Sequence, residues 1–327
     1  MKDSFGRVIN YVRIAVTDRC NLRCFYCMPE HGNIWLNRSD LLSYEEILRL
    51  TNILGRLGVQ KVKITGGEPF VRKDLMPFLS ELTQIQGISN VGITTNGVFT
   101  EQHLDGLQKM GINSINLSLD TLDKARFHEI TLRDEFDAVF STYKALIDKD
   151  FKVKVNCVVM EQKNIADIIP MVELTRHSNV SIRFIEEMPF NGGKEHYEHL
   201  EWNHTKILKH IEDHFGAVTP LPFEPSSTSY NFKIAGFKGS FGIIAAYSRT
   251  FCGTCNRIRI TPQGQLKTCL YDSGALDVRA LLRDGSTDEI ISIAIQQAVG
   301  KKAKDGIVAE NTRHNHPVHE SMATIGG

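Results

Sequence analysis

Three cysteines lie close together near the start of the chain, at C-x3-C-x2-C spacing. They are Cys20, Cys24 and Cys27 in the segment CNLRCFYC. Structural zinc sites use four ligands, commonly in C-x2-C pairs, and three cysteines do not supply that set. Closely spaced thiolates are the usual ligands of iron–sulfur clusters. A four-iron cluster held by three thiolates leaves one iron open, so the spacing predicts a [4Fe-4S] cluster that can bind a further molecule.

A second group of three cysteines lies in FCGTCNRIRITPQGQLKTCL. Cys252, Cys255 and Cys269 have C-x2-C-x13-C spacing. Zinc would need a fourth ligand from a histidine of 196–214 or of the tail, whereas a second four-iron cluster with an open iron would need none. Arg257 and Arg259 follow on one face of a short extended segment. They either form a solvated surface or, beside an open iron, hold an anion.

Composition narrows the classes of function. The 327 residues carry 38 Lys+Arg and 38 Asp+Glu, so the formal net charge is zero. Nucleic-acid and anionic-membrane binders need surplus cations, so any anionic ligand must be held by a local concentration of Lys and Arg. No apolar run approaches the roughly 18 residues of a membrane span, and the start does not resemble a signal peptide. The chain has seven cysteines, an odd number that does not suggest a disulfide framework. We therefore expect a cytoplasmic protein whose reduced thiols bind metals or take part in catalysis.

Short β-branched segments alternate with helical segments over the first two-thirds of the chain. The predicted strands are VRIAVT (12–17), KVKIT (61–65), VGITTN (91–96), SINLSLD (114–120), KVKVNCVV (152–159) and SIRFIEEM (181–188). The predicted helices between them are 43–57, 74–86, 101–110, 136–149 and 164–177. This alternation predicts βα units and a parallel sheet, either doubly wound or rolled into a barrel of fewer than eight strands.

Four of the predicted strands alternate polar and apolar residues, although the strands of parallel sheets usually read as continuous apolar runs. The polar positions include Arg13, Lys61, Lys63, Asn116, Ser118, Lys152 and Lys154. Strand ends at solvent would explain one such pattern. Its repetition in four strands favours an incomplete (βα)6 TIM-like barrel in which polar side chains face an open cavity.

The pattern changes after about residue 190. A loop, a predicted helix at 205–215 and a Pro/Ser-rich stretch precede short strand-like segments and the second cysteine group. Two helices near 275–283 and 287–299 and a polar tail follow. We therefore expect a partial barrel at 1–190 and a smaller C-terminal region at 191–327, which carries the second cluster and substrate-binding residues.

The first cysteine group resembles the motif of the radical S-adenosylmethionine superfamily, with Tyr26 as its aromatic residue. KITGGEP (63–69) follows the second strand and resembles the superfamily's GGE motif, while TTNG (94–97), SLD (118–120) and FIEEMP (184–189) follow later strands. Together with FCGTCNRIR and a terminal IGG, these segments resemble the GTP 3',8-cyclase family of molybdenum-cofactor biosynthesis. The resemblance runs from about residue 7 to Gly327.

This resemblance implies a homodimer of partly open (βα)6 barrels, each closed on its open side by the C-terminal region. It implies two [4Fe-4S] clusters, the first binding S-adenosylmethionine and the second binding the guanine of GTP. The implied cofactor contacts are Tyr26, Gly67, Ser118 and Met188. The implied GTP contacts are Arg13, Lys63, Thr94, Lys154, Arg257 and Arg259, and Gly326 and Gly327 are implied to reach the active site. The family often has Arg where this chain has Lys63. Lysine keeps the positive charge but cannot make the planar, two-point contact with phosphate that arginine makes.

The implied reaction cyclises GTP between the ribose 3' carbon and guanine C8, after a radical derived from S-adenosylmethionine removes hydrogen from that carbon. It requires an electron donor such as flavodoxin or ferredoxin, and its product passes to cyclic pyranopterin monophosphate synthase. One alternative is a radical maturase of a peptide or protein, which would tend to carry more cysteines in the second region. Another is a non-catalytic iron–sulfur or zinc scaffold.

Overall fold

The computed structural model describes residues 1–28, 35–188, 200–223, 226–311 and 321–325. Six parallel strands form its first part: Tyr11–Ala15 (β1), Lys61–Thr65 (β2), Asn90–Thr95 (β3), Ser114–Ser118 (β4), Lys152–Val159 (β5) and Ser181–Glu186 (β6). The helices that follow them are Tyr44–Arg56 (α1), Leu75–Leu82 (α2), Leu104–Lys109 (α3), Lys124–Thr131 (α4), Phe136–Asp148 (α5) and Ile168–Glu173 (α6). The alternation of strands and helices predicted from the sequence is confirmed.

The C-terminal part joins the same sheet. Its elements are His204–Phe215 (α7), Thr219–Pro220 (β7), Tyr230–Lys233 (β8), Ser240–Ile244 (β9), Arg257–Ile260 (β10), Gln265–Lys267 (β11), Leu276–Asp277 (β12), Val278–Arg283 (α8), Asp288–Gly300 (α9), Gly306–Asn311 (α10) and Met322–Ile325 (α11). The strand order is β12-β11-β10-β1-β2-β3-β4-β5-β6-β9-β8-β7. Strands β9 and β10 pair in parallel with β6 and β1. Within the described residues the two end strands do not pair, so the barrel is incomplete, as the sequence predicts.

The strand register sets charged side chains beside one another on one face. Arg13 of β1 lies opposite Arg259 of β10 on one side and opposite Lys63 of β2 on the other. Asn116 of β4 lies opposite Lys154 of β5. Since neighbouring strands are about 4.8 Å apart, this register concentrates cations that are distant in the sequence.

The opposite face of the same strands packs against the helices. Ile14, Ile64, Ile115 and Ile182 are fully buried within one core. Burial of a side chain of this size stabilises the fold by about 1.5–3 kcal/mol. The alternation read from the sequence therefore separates an apolar helix-packed face from a polar face.

Helix α1 begins at the capping box expected from its sequence. The backbone N–H of Glu46 donates to Ser43 Oγ (3.2 Å), and that of Ser43 donates to Glu46 Oε2 (2.7 Å). Helix α4 was not predicted, because only Phe127, Ile130 and Thr131 are buried in a mainly polar segment. None of the helices in the described ranges is long and apolar enough to cross a membrane.

Candidate active site

A cavity of about 620 Å³ lies against the polar face of the sheet. Every described residue that the sequence analysis assigned to the site lines this cavity. These residues are Cys20, Cys24, Cys27, Cys252, Cys255 and Cys269, then Tyr26, Gly67, Ser118 and Met188, and finally Arg13, Lys63, Thr94, Lys154, Arg257 and Arg259. Both cysteine groups and the strand cations therefore face one chamber.

The first cysteine group lies in the loop after β1. This loop is held by backbone hydrogen bonds from Arg23 N–H to Thr131 O (2.9 Å) and from Phe25 N–H to Ile130 O (3.2 Å). Burial raises the pKa of the Cys20 thiol to about 11. The buried thiol is therefore neutral unless a bound metal supplies positive charge to hold its thiolate form.

The glycine pair after β2 is required by the packing of this loop. A Cβ on Gly67 would lie 2.2 Å from Arg19 O and 2.7 Å from Asp18 O. A Cβ on Gly66 would lie 2.5 Å from Thr17 O, and its φ is +156°. The pair therefore allows the GGE segment to approach the backbone that leads into Cys20.

Tyr26 of the first cysteine loop is held by Asp120, which follows β4. Its hydroxyl donates to Asp120 Oδ2 (2.8 Å), and the Val158 N–H donates to Asp120 Oδ1 (2.8 Å). Burial raises the pKa of Asp120 to about 6. The aromatic ring beside the cysteines is thus fixed by a buried carboxylate, a role that the spacing of SLD alone did not indicate.

The cations of the cavity lower one another's pKa values. The pKa of Lys63 lies well below its ordinary value, first because the amine is buried and then because Arg13, Lys61, Lys154 and Arg183 surround it. Burial, followed by Arg13 and Arg257, lowers the pKa of Arg259 to about 9. Like charges held together away from water are costly, and a bound polyanion would offset that cost.

Polar side chains between these cations include hydrogen-bonding groups that no described residue satisfies. The Lys63 amine donates to Asn116 Oδ1 (3.2 Å), whereas Thr94 Oγ1 and Asn156 Oδ1 are buried without a hydrogen-bond partner within the described ranges. Buried polar atoms normally have partners, so these two atoms indicate a place for a polar ligand or water.

The second cysteine group lies beside β10 and β11. Cys252 opens a short 3-10 helix, Cys255 follows it, and Cys269 comes after β11. Although burial raises the pKa of Cys255, the nearby positive charges of Lys302 and Arg257 lower it below its ordinary value overall. An electropositive environment of this kind suits a metal-binding thiolate.

Each cysteine trio fits a cluster by its donor chemistry. Across the described parts of the chain, no three His, Cys, Asp or Glu side chains are close enough to share one metal ion. A four-iron cluster does not need such a group, because each thiolate binds a different iron. Both trios remain compatible with [4Fe-4S] clusters.

Several further residues that line the cavity have no role assigned from the sequence. They are Lys61, Asn116, Asp120, Asn156 and Arg183. The period-two alternation predicts all of them except Arg183 on the polar strand face, and Arg183 follows the same alternation in β6. Gly326 and Gly327 lie outside the described residues. The nearby Ser321 hydroxyl donates to Cys27 O (2.6 Å), so the C-terminal segment contacts the first cysteine loop.

Comparison of sequence families gives two matches that divide the chain. Residues 14–175 match the radical SAM superfamily, and residues 180–307 match the family described as Molybdenum Cofactor Synthesis C.

Individual relatives extend these matches over nearly the whole chain. The GTP 3',8-cyclase of Rhodopirellula baltica is 38% identical, over 99% of this chain and 91% of that protein. The mitochondrial GTP 3',8-cyclase of Arabidopsis thaliana is 38% identical, over 99% of this chain and 83% of that protein. Molybdenum cofactor biosynthesis protein 1 of Bos taurus is 42% identical over 93% of this chain and 48% of its own length, so the chain spans about half of that relative.

Solved structures resemble the fold at low sequence identity. Streptococcus suis SuiB bound to S-adenosylmethionine matches with a TM-score of 0.60 and 17% identity, over 86% of this chain and 63% of SuiB. At this identity the similarity concerns the fold alone, and it agrees with the partial barrel.

Proposed function

This chain belongs to the GTP 3',8-cyclase family of the radical S-adenosylmethionine superfamily, and from that premise we propose that it converts GTP into (8S)-3',8-cyclo-7,8-dihydroguanosine 5'-triphosphate. The reaction serves molybdenum-cofactor biosynthesis. The observation that carries the proposal is one cavity that is lined by both cysteine trios and by a row of buried and half-buried cations. A peptide substrate, the alternative considered above, offers no comparable polyanion.

The first cysteine trio would hold one [4Fe-4S] cluster, with Tyr26, Gly67, Ser118 and Met188 around S-adenosylmethionine. When bound and reduced, this pair of cofactors supplies a carbon radical able to remove hydrogen from an unactivated ribose carbon. Asp120 accepts a hydrogen bond from the Tyr26 hydroxyl and so would hold the ring in place beside a bound cofactor. The close loop packing at Gly67 keeps the cysteine loop and the GGE segment together.

The strand cations would hold the triphosphate. Arg13, Lys63 and Arg259 are adjacent in register, and Lys154 and Arg257 face the same cavity. These five cations suit a triphosphate with about four negative charges near neutral pH. Charge-assisted bonds to phosphate are strong and, from Arg, directional. Binding at the phosphate end thereby fixes the ribose relative to the first cysteine trio.

The second cysteine trio would hold the other end of the substrate. Cys252, Cys255 and Cys269 are suited to a second [4Fe-4S] cluster, whose open iron would be a ligand site for guanine. Arg257 and Arg259 lie two and four residues after Cys255, so one short segment would supply both purine and phosphate contacts. Held at both ends, the nucleotide would present its ribose 3' carbon and C8 in one geometry.

We further propose that the protein is a homodimer in the cytoplasm. It would receive electrons from a donor such as flavodoxin or ferredoxin and pass its product to cyclic pyranopterin monophosphate synthase. We also propose that Gly326 and Gly327 enter the active site and that the domain boundary lies near residue 190.

The second cysteine trio is tested by a single-turnover experiment on the Cys255→Ala protein under strict anaerobiosis. We expect GTP cyclisation to be lost while cleavage of S-adenosylmethionine persists, because the first trio is intact. The measurement is product formation alongside 5'-deoxyadenosine. Cyclisation at the wild-type rate would remove the second cluster from the mechanism.

GTP binding should take up a proton through Lys63. In the free protein the pKa of Lys63 lies well below its ordinary value because of burial and neighbouring cations, and a triphosphate raises that pKa by favouring the ammonium form. Affinity should therefore be constant below the pKa of Lys63 in the free protein and fall as pH rises from that pKa towards the raised pKa in the complex. Calorimetry at a series of pH values below the ordinary lysine pKa of about 10.4, in two buffers of different ionisation enthalpy, measures the uptake.

The matched variant for this measurement is Lys63→Arg, since arginine stays protonated over that range. The phosphates of GTP titrate in the same way with both proteins. The difference in proton uptake between the wild type and the variant therefore reports the titration of Lys63. Equal proton uptake by the wild type and the variant would show that Lys63 does not titrate on binding.

A further inference from the structure

Residues 302–304, between α9 and α10, connect the second cysteine group to two distant parts of the chain. We call this segment the strap. Its backbone carbonyls accept hydrogen bonds from the N-terminal arm, and the side chain of Lys302 reaches the strand that follows Cys255. The function proposed above assigns no role to these contacts.

Arg7 joins the strap to the second cysteine group from the N-terminal arm. Its guanidinium donates to Ala303 O (2.6 Å), to Lys304 O (2.7 Å) and to Cys252 O (3.2 Å). Asp3 holds the guanidinium in place with an Oδ2–Nε distance of 2.5 Å, and both side chains are almost completely buried. Asp3 Oδ1 also accepts from two backbone N–H groups of the arm, so the carboxylate orders the turn that presents Arg7.

Lys302 joins the same segment to the two other cysteines. Its amine donates to Arg257 O (3.1 Å) and to Thr268 O, and the residue is 3% exposed. Arg257 lies two residues after Cys255, and Thr268 immediately precedes Cys269. One buried amine therefore bridges the two chain segments that carry those cysteines.

We propose that Arg7 and Lys302 are positioning residues that act through the strap to fix the second cysteine group relative to Arg257. This inference rests on the proposed function, because it concerns the second cluster and the substrate held beside it. A buried cation is expensive to maintain in the absence of a role. Arg7 donates to two carbonyls of the strap and to Cys252 O, and Lys302 donates to carbonyls on the segments that carry Cys255 and Cys269. Groups of this kind around metal ligands orient the ligands and tune the metal.

The test compares anaerobically reconstituted Arg7→Lys and Lys302→Met proteins with the wild type. Lysine at position 7 keeps a charge for Asp3 but loses the planar fork that reaches three carbonyls. We expect the Kd for GTP to rise at least about tenfold in both variants, with an altered electron paramagnetic resonance spectrum of the second cluster. Cleavage of S-adenosylmethionine without GTP should remain within about twofold, since the first trio is not involved.

The matched control is Arg49→Lys. Arg49 donates to Asp288 Oδ1 (2.9 Å) and to the carbonyls of Leu282 and Ser286, which is the same bonding pattern at a site between α1 and α9. The control should leave the Kd and the cluster spectrum unchanged. The inference is overturned if the Arg7 and Lys302 variants behave like the control, or if their first cluster is lost together with the second.

Failure of the proposed function gives a different result. A wild-type protein that assembles both clusters but does not bind GTP would contradict the cyclase proposal alone. The spectrum of the second cluster in the three variants would still decide whether Arg7 and Lys302 position it.

Discussion

Replacing Arg259 with methionine is expected to abolish most GTP binding while leaving the fold intact. Arg259 is half-buried and lies in register with Arg13, and desolvation together with the neighbouring arginines lowers its pKa to about 9. Loss of one member of a buried charge pair costs about 2–4 kcal/mol, which is roughly 30- to 1000-fold in Kd. The same substitution removes a charge that its neighbours repel, so the unfolding temperature should not fall.

Calorimetric titration with GTP and thermal unfolding of the same preparation measure the two effects. Arg56→Met is the control, because the Arg56 side chain is 60% exposed and pairs with Asp288 at the surface. Exposed pairs contribute at most about 1 kcal/mol, so its Kd should match the wild type. An unchanged Kd in Arg259→Met would remove the strand cations from substrate binding.

Gly67→Ala is expected to eliminate the first cluster. The new Cβ would lie 2.2 Å from Arg19 O and 2.6 Å from Arg19 C, distances that real Cβ atoms essentially never show. Because the obstructing atoms are backbone, the segment before Cys20 must move. Iron content after anaerobic reconstitution should fall to about four per chain, and cleavage of S-adenosylmethionine should be lost.

Gly300→Ala provides the comparison for this prediction. Gly300 ends α9, and a Cβ there would meet nothing within 4 Å. That variant should retain both clusters. Full iron content and normal cofactor cleavage in Gly67→Ala would mean that the loop tolerates displacement and does not depend on the glycine pair.

The parallel sheet was predictable because its strands carry two independent signals. In KVKIT and KVKVNCVV, β-branched residues coincide with strict alternation, and the predicted bounds match β2 and β5. The same alternation placed Arg13, Lys63 and Lys154 on one face. Arg183 follows the same alternation in β6, although it lies in none of the motifs that carry the family resemblance.

Contacts between distant segments could not be predicted. The Tyr26–Asp120 bond joins residues 94 positions apart, and Arg7 contacts residues 245 or more positions away. No local pattern encodes such pairs, because they depend on how strands are ordered. Strands β9 and β10 come from the C-terminal region and extend the barrel sheet at its two edges, and this pairing is not encoded in any local pattern either.

Iron and sulfide counting after anaerobic reconstitution tests most directly whether the two cysteine trios that line the cavity each hold a cluster. We predict about eight irons per chain in the wild type. Two variants should each retain about four, one with alanine at Cys20, Cys24 and Cys27 and the other with alanine at Cys252, Cys255 and Cys269. About four irons in the wild type, with zinc in the second group, would contradict the account.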